Sequence, residues 1–480
     1  MAVANTVPDV GLPAWEKKQG MLGAQNGASS GPSSDDEVGE VRPTAAASDY
    51  EAQKMAEGEE KFHQLGWKQL TIVLVVTAVA LGSLSLPGAF ATLGMVAGVI
   101  VSVGLGLVAM YASYVIGQMK LKYPHISHYT DAGGMMFGKV GYAIISAMFV
   151  LQLIFTIGSH VLTGAIMFDN LSDSGACTIV FTVVSGILLF LVAIPPTFSE
   201  MAVLGYIDFV SIMAAIFITI IATGVRASEL PGGVSSVPWS AWPKEDLTVA
   251  EAFVAISNIV FAYSFALCQF SFMDEMHTPR DFDKAIFTLG IFEIVLYTIV
   301  GALVYVFVGP DVRSPALLSA GPTVSKVAFG VAIPVIFISG SINTTVVARY
   351  IHGRFFKRSV IRYVNTPMGW ATWIGLDAII TVLAWVIASA IPFFSSLLAI
   401  SSSLFISGFT FYFPAIMWFM FICEGRWYAP KNWLLAGANA LCFIIGIVVL
   451  GVGTYASIQD IIDRYNMGMV SDPFSCAPLT

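Results

Sequence analysis

The sequence predicts an all-α polytopic membrane protein. Of its 480 residues, 56% are hydrophobic and 11% are charged, whereas soluble domains contain about 45–50% apolar and about 25% charged residues. The charges are also uneven, because residues 1–68 hold 6 of the 23 basic and 11 of the 31 acidic side chains. So few charges cannot form a water-soluble surface, which excludes a soluble enzyme. The net charge of −8 excludes a nucleic-acid binder, which needs a basic face.

Three regions follow along the chain. Residues 1–66 are rich in Gly, Ser, Pro, Ala and acidic residues, a composition that cannot bury enough apolar surface to fold, so we predict a disordered acidic cytoplasmic tail. Residues 67–459 form the predicted transmembrane domain, and residues 460–480 a short extracellular tail. The polar residues 1–66 do not match a secretory leader, which has a basic region followed by an apolar one. The first membrane helix is therefore expected to direct targeting.

Eleven stretches are long and apolar enough to cross a bilayer, which takes about 20 residues each. Their predicted bounds are 70–90, 93–118, 141–168, 178–195, 201–223, 250–272, 285–308, 327–347, 370–391, 397–421 and 433–455. With the N-terminus inside, 14 basic residues of the short loops lie on the cytoplasmic side and 5 on the other. By the positive-inside rule, this bias predicts a cytoplasmic N-terminus and an extracellular C-terminus.

Two outer-side features follow from this topology. The sequon that begins at Asn170 lies outside, close to the end of span 3, where a glycan could be added. Cys177 and Cys476 both lie on the outer, oxidising side, so a disulfide that holds the C-terminal tail to span 4 is a hypothesis.

Span 1 contains the run LGSLSLPG at residues 81–88. Glycine and proline weaken a helix, and freed backbone groups in lipid are tolerated where they line a cavity. One interpretation is a break that directs backbone groups at a substrate carboxylate and a cation. The alternative is a kink that only lets helices pack closely.

The run LGSLSLP at residues 81–87 resembles the first-helix motif of the amino acid/auxin permease family. Span 6 adds FAY at 261–263 and FMDEM at 272–276, and the resemblance extends from about residue 60 to the end. Within the family, the chain is most similar to the fungal neutral amino acid permeases. The resemblance implies an eleven-helix carrier with two inverted five-helix repeats, in which helices 1 and 6 are broken and hold the amino acid between them.

The same resemblance implies a substrate site. The carboxylate of the amino acid substrate would be bound by Gly82, Ser83, Leu84 and Ser85. Its ammonium group would be bound by the carbonyls of Phe261, Ala262, Tyr263 and Ser264, with Phe265 forming an apolar pocket. A pocket without a committed charge suits neutral side chains, because a buried unpaired charge is costly. For Tyr263 and Phe265, the alternative is ordinary aromatic packing.

Four ionisable residues lie within predicted spans: His160, Asp208, Glu293 and Asp377. Such groups are costly in a bilayer and are therefore functional candidates. Asp208, in the middle of span 5, is the best placed to take and release a proton. A permanently hydrogen-bonded packing carboxyl is the competing interpretation, and His160 is more typical of a packing residue.

Span 8 carries the polar run SGSINTT at residues 339–345. In sodium-coupled relatives of this architecture, hydroxyls of helix 8 help to hold the ion against helix 1, so Ser341 and Thr344 join Asp208 as candidate ion-coupling residues. The same side chains could instead hydrogen-bond neighbouring helices. The residues therefore leave proton and sodium coupling open, and the family resemblance favours protons.

The main hypothesis is a plasma-membrane symporter that imports neutral amino acids with protons by alternating access, and that needs no bound cofactor. A nutrient sensor built on a transporter fold is the alternative, with the acidic tail as its signalling segment. That tail equally suits ubiquitination at Lys17, Lys18 or Lys54 by a ubiquitin ligase. A membrane-embedded enzyme is disfavoured, because no metal cluster or nucleophile–base pair is evident in the sequence.

Overall fold

The computed structural model describes the polypeptide from Gly66 almost to its end, and every regular element in the described part is helical. The described residues are 66–196, 198–357, 359, 361, 364–468, 474 and 476. Residues 1–65 of the predicted acidic tail, with the candidate ubiquitination sites Lys17, Lys18 and Lys54, lie outside them.

The helices are numbered α1 to α11 in chain order, and two of them consist of two segments. They are α1a (Trp67–Val76), α1b (Leu81–Leu93), α2 (Met95–Lys122), α3 (Tyr129–Leu171), α4 (Thr178–Ala193), α5 (Phe198–Ser228), α6a (Val249–Ala262), α6b (Ser264–Asp274), α7 (Phe282–Val308), α8 (Pro322–Phe355), α9 (Pro367–Ala390), α10 (Phe394–Ile422) and α11 (Trp433–Asn466).

Each predicted span corresponds to one of these helices or bent pairs. Eight helices of the described part are long and apolar enough to cross a membrane, and the two bent pairs bring the number to ten. The remaining predicted span is α4, an apolar helix of 16 residues. The count of eleven crossings therefore stays a prediction, and α11 continues beyond residue 459 to Asn466.

The predicted start of span 3, residue 141, lies three residues after a bend in α3, and the helix also includes a part before that bend. α3 begins at Tyr129 and bends at Phe137 and Gly138. Gly138 has a φ of +65°, a conformation that glycine adopts at little cost. The part before the bend is more polar than a membrane span, which is why a search for apolar stretches does not find it.

The centre of the bundle is formed by α1, α6, α8 and part of α10. An apolar 18-residue segment of α8 is 83% buried inside the protein, whereas the corresponding segment of α11 is 28% buried. α1 packs against α6a and α7, while α8 packs against α3 and α5. α8 and α10 therefore face other helices on nearly all sides, and the more exposed helices present apolar side chains at the periphery.

A disulfide joins Cys177, immediately before α4, to Cys476 near the end of the chain. The hypothesis of this bond is therefore confirmed. The other three cysteines (Cys268, Cys423 and Cys442) are free thiols. Asn170 lies in the last turn of α3, and its side-chain oxygen accepts a hydrogen bond from Ser325 at 3.3 Å.

Candidate functional site

The break in α6 is centred on Tyr263. This residue has φ −97° and ψ 37°, outside the helical range, and the chain continues through a 3₁₀ turn at Ser264–Cys268. The two segments are bent by 45°. Because the last carbonyls of a helix segment lack partners within it, the Ala262 carbonyl accepts a hydrogen bond from the Tyr297 hydroxyl of α7 at 3.2 Å.

The bend in α1 lies before the motif that led us to expect it. α1a and α1b meet at 51° across residues 77–80, whereas a break was expected near Gly82. Gly82 instead allows close packing, since a Cβ atom there would lie 2.7 Å from the Cα of Ala262 in α6a. Ser83 and Ser85 donate their hydroxyl hydrogens within α1, to the carbonyls of Val79 at 2.7 Å and Gly82 at 2.9 Å.

A small cavity of about 40 Å³ lies between the two bends. Its lining residues come from α1, α3, α6 and α8: Ala78, Leu81, Gln152, Thr156, His160, Phe261, Ser264, Phe265, Leu267, Cys268, Phe272 and Asn343. The cavity has room for a few water molecules, so an amino acid would require aromatic lining side chains such as Phe265 to move.

Three of the nine predicted substrate residues line this cavity, namely Phe261, Ser264 and Phe265. The contribution of α1 comes from Ala78, about one turn before the predicted run 82–85, and from Leu81, which directly precedes that run. The other predicted α6 residues lie behind the cavity wall: Ala262 packs against Gly82, and Tyr263 is fully buried. The Tyr263 hydroxyl lies 3.4 Å from that of Ser102 in α2.

Sequence reasoning did not single out Gln152 or Thr156 of α3, nor Asn343 within the polar run of α8, as lining residues. Gln152 is 1% exposed, donates to Thr156 at 3.0 Å and accepts from Ser401 of α10 at 2.9 Å. Asn343 donates its amide hydrogen to the Ser339 carbonyl at 2.9 Å. A buried amide in an apolar span is a usable signal, because polar side chains there are costly unless hydrogen-bonded.

Asp208 of α5 is fully buried and reaches α1 through a serine of α8. The Ser339 hydroxyl lies 2.8 Å from one carboxyl oxygen of Asp208 and 3.1 Å from the carbonyl of Val76, the last residue of α1a. The other carboxyl oxygen has no hydrogen-bond partner among the described residues. One hydroxyl therefore connects a buried carboxyl group to the bend in α1.

The predicted ion-coupling residues Ser341 and Thr344 are not brought to this point. Both are fully buried, and each donates its hydroxyl hydrogen within α8, Ser341 to the Ile338 carbonyl at 2.8 Å and Thr344 to the Gly340 carbonyl at 3.0 Å. Ser339 takes the place expected for them.

The other ionisable residues in spans have different surroundings. His160 lines the cavity, and its Nδ1–H donates to the Ile336 carbonyl of α8 at 2.8 Å, which leaves Nε2 as the acceptor nitrogen. Glu293 and Asp377 are fully buried, and none of their carboxyl oxygens has a hydrogen-bond partner in the described part of the chain.

Two ion pairs hold the C-terminal end of α6b. Lys120 of α2 is 4% exposed and lies 2.5 Å from Asp274, and it also donates to the carbonyls of Pro124 and Ile126. Arg349 of α8 lies 2.9 Å from Glu275. These contacts attach the end of the broken helix to α2 and to α8, of which α8 also lines the cavity.

A bundle with two bent helices around a small cavity is an arrangement found in carriers. Residues 63–459 match the family model described as transmembrane amino acid transporter protein. This chain belongs to that family. The transporter is 63% identical to the N amino acid transport system protein of Neurospora crassa, over 93% of this chain and 96% of that protein. It is 28% identical to a transmembrane transporter of Gibberella moniliformis, over 93% and 95% of the two chains.

Solved structures share the fold. MhsT in complex with L-phenylalanine superposes with a TM-score of 0.56 at 14% identity, over 82% of the transporter and 99% of MhsT. The nucleobase-cation-symport-1 family transporter Mhp1 superposes with a TM-score of 0.51 at 14% identity, over 86% and 94%. The transporter therefore has the inverted five-plus-five helix repeat with broken helices 1 and 6 that the family resemblance implies.

Proposed function

We propose that the transporter imports neutral aliphatic and aromatic L-amino acids by proton symport with alternating access, and that Asp208 carries the coupled proton. The observation that supports this most directly is the contact of Asp208 with Ser339, which itself lies against the bend in α1.

Ser339 has one hydroxyl hydrogen and two acceptors for it. When Asp208 is ionised, the hydrogen is directed to the carboxylate. When Asp208 is protonated, the carboxyl can donate to the Ser339 oxygen, and the Ser339 hydrogen is free for the Val76 carbonyl. Proton binding in α5 thus changes the hydrogen bonding at the bend of α1, beside Ala78 and the cavity. This is the coupling that a symporter requires.

The lining of the cavity supports a neutral substrate. The lining side chains of the described part include no Lys, Arg, Asp or Glu, and half of them are those of Ala, Leu and Phe. A charged substrate side chain would lie there without a counter-ion, at a cost of several kcal/mol. MhsT, which shares the fold, is described in complex with L-phenylalanine, an aromatic amino acid of the proposed class.

Two interruptions opposite each other also support alternating access, because half-helices can rotate where continuous helices cannot. In this proposal the ion pairs of Asp274 and Glu275 close the cytoplasmic side and separate when it opens. The substrate then leaves between α1a and α6b.

The remaining expectations belong to the same proposal. The transporter lies in the plasma membrane, with residues 1–66 in the cytoplasm, residues 67–459 as the transport domain and residues 460–480 outside. The tail lysines are proposed sites for ubiquitination, which would regulate the amount of transporter. No bound cofactor is required beyond the transported proton.

Uptake by purified protein in liposomes tests the proposal. We expect accumulation of labelled phenylalanine or leucine with an imposed proton gradient and none with a sodium gradient alone. Asp208→Asn should reduce proton-driven accumulation by about tenfold or more, yet retain exchange of internal for external substrate, which moves no net proton.

Asp377→Asn is the matched control, since it neutralises another fully buried carboxyl in α9, and it should keep proton-driven accumulation. Sodium-driven accumulation by the wild type, or undiminished proton-driven accumulation by Asp208→Asn, would overturn the proposal. Binding without accumulation would favour the amino-acid sensor.

A further inference from the structure

A second buried carboxyl group lies behind the break in α6, on the side of α7. Glu293 is fully buried, and neither of its carboxyl oxygens has a hydrogen-bond partner among the described residues. The titratable groups that face it are the hydroxyls of Tyr263 from α6 and Tyr297 from α7, both close enough for an electrostatic interaction. A buried carboxylate without a donor is strongly disfavoured, which favours the protonated form of Glu293 in this arrangement.

Tyr297 connects this carboxyl group to the break. It follows Glu293 by four residues, so the two side chains lie on the same face of α7. Its hydroxyl donates to the Ala262 carbonyl at 3.2 Å, and its ring packs against that of Tyr263 with centroids 5.3 Å apart. The hydroxyl has a single hydrogen. It cannot serve both the Ala262 carbonyl and an ionised Glu293.

We propose that Glu293 is a second proton-binding site of the transport cycle, and that its proton keeps the break in α6 anchored to α7 through Tyr297. When the proton leaves Glu293 for water, the carboxylate attracts the Tyr297 hydrogen, and the Ala262 carbonyl loses its donor. No covalent bond of Tyr297 changes, because only its hydrogen-bond acceptor does.

The anchored break is the form that binds substrate. In the chain, Ala262 lies between Phe261 and Tyr263, and Ser264 follows Tyr263. Both Phe261 and Ser264 line the cavity. A proton on Glu293 therefore strengthens substrate binding, in the same direction as a proton on Asp208. This inference rests on the proposed proton symport and adds a second proton to it.

The test is the dissociation constant of phenylalanine for the purified full-length protein, measured against pH. The slope of its logarithm against pH gives the number of protons taken up with the substrate. Glu293→Gln is permanently neutral, so it should keep the wild-type affinity at acid pH and lose up to one proton from the slope. That loss amounts to as much as a tenfold change in affinity per pH unit.

Tyr297→Phe removes the anchor itself. We expect roughly threefold to tenfold weaker binding at acid pH, as for the loss of one hydrogen bond, together with the same reduced slope. Adding Glu293→Gln to Tyr297→Phe should change nothing further. The control is Tyr305→Phe on the same helix, whose hydroxyl bonds Ser240 in a loop, and which should bind as the wild type does.

The outcomes separate the two proposals. A wild-type slope in Glu293→Gln would overturn this inference and leave the role of Asp208 intact, whereas a wild-type slope in Asp208→Asn would overturn that role instead. An equal loss of affinity by Glu293→Gln at every pH would assign Glu293 to packing alone. Should Glu293→Gln not fold, wild-type slope and affinity in Tyr297→Phe would overturn the inference.

Discussion

At the scale of single residues, the hydroxyl hydrogen of Ser339 can be donated to either of two acceptors. Ser339 lies within hydrogen-bond distance of both Asp208 and the Val76 carbonyl, and such a choice depends on whether the carboxyl group is protonated. Sequence reasoning identified Asp208, because a carboxyl in an apolar span is conspicuous. It selected Ser341 and Thr344 over Ser339, because four hydroxyl side chains in seven residues are distinguished only by the rotation of α8 against α1 and α5.

Ser339→Ala should lower proton-driven uptake by about tenfold, since a buried hydrogen bond to a carboxyl group is worth roughly 1–3 kcal/mol. Liposome uptake across a proton gradient measures this effect. Ser457→Ala is the control, because Ser457 is also fully buried but donates within its own helix. A larger loss in Ser341→Ala than in Ser339→Ala would restore the sequence-based assignment.

The contact between Gly82 and Ala262 gives a second prediction at this scale. Gly82→Ala places a Cβ atom 2.7 Å from backbone of α6a, and overpacking of this kind costs about 1–3 kcal/mol. We expect uptake to fall by at least about tenfold, whereas thermal stability should fall only slightly. Gly104→Ala in α2, where a Cβ atom meets nothing within 4 Å, should transport normally. Equal uptake by the two variants would contradict the close contact of the two bent helices.

At the scale of elements, the bends in α1 and α6 differ in how far the sequence predicts them. The composition of span 1 indicates an interruption. In the structure, however, Gly82 allows close packing against α6a, and the bend lies between Val76 and Leu81, before that glycine. Residues 261–270 contain neither glycine nor proline, so the break in α6 was implied only by resemblance. Tertiary contacts compensate for its lost helical bonds, as the bond from Tyr297 to Ala262 illustrates.

The ion pairs of α6b predict how the cytoplasmic side opens. Asp274→Asn removes the charge that faces the nearly buried Lys120, which should favour the open state. Cys268 is a half-buried thiol in the cavity lining, so its alkylation rate reports access. We expect a rise of about fivefold, as for a coupling energy near 1 kcal/mol.

Peptide mass spectrometry quantifies the label at Cys268 alone. The matched control is Asp281→Asn, which removes a partly exposed carboxylate that pairs with the exposed Lys284 within one helical turn, and which should leave the rate unchanged. Excess phenylalanine should slow the alkylation in every variant. A rate unaffected by Asp274→Asn would show that this ion pair does not limit access.

At the scale of the whole molecule, apolar length predicts the spans well, because a bilayer fixes how long a crossing must be. It does not predict the polar first part of α3, nor the α11 segment beyond residue 459. Neither length nor composition indicates which helices are central. The high burial of α8 and α10 follows from packing, although the polar run in α8 is a hint, since such side chains avoid lipid.

The Cys177–Cys476 disulfide closes a loop across 299 positions of sequence. Cys177→Ser and Cys476→Ser should each lower the free energy of unfolding by about 2–4 kcal/mol, and the double variant should be no worse than either single one. Thermal unfolding in detergent measures this, with Cys423→Ser as the control for loss of a free thiol. A double variant clearly less stable than both single ones would mean that the thiols act separately.

The same bond constrains the number of membrane crossings between the two cysteines to an even number. Two cysteines can join only if they lie in the same compartment, so an even number of membrane crossings must separate them. In the described part of the chain, seven long or bent helices lie between Cys177 and Cys476, together with the short α4. Seven crossings would place the thiols on opposite faces, and eight place them on the same face. The bond therefore argues that the 16 residues of α4 cross the whole bilayer, where the membrane thins or the flanking residues reach outward to meet its ends.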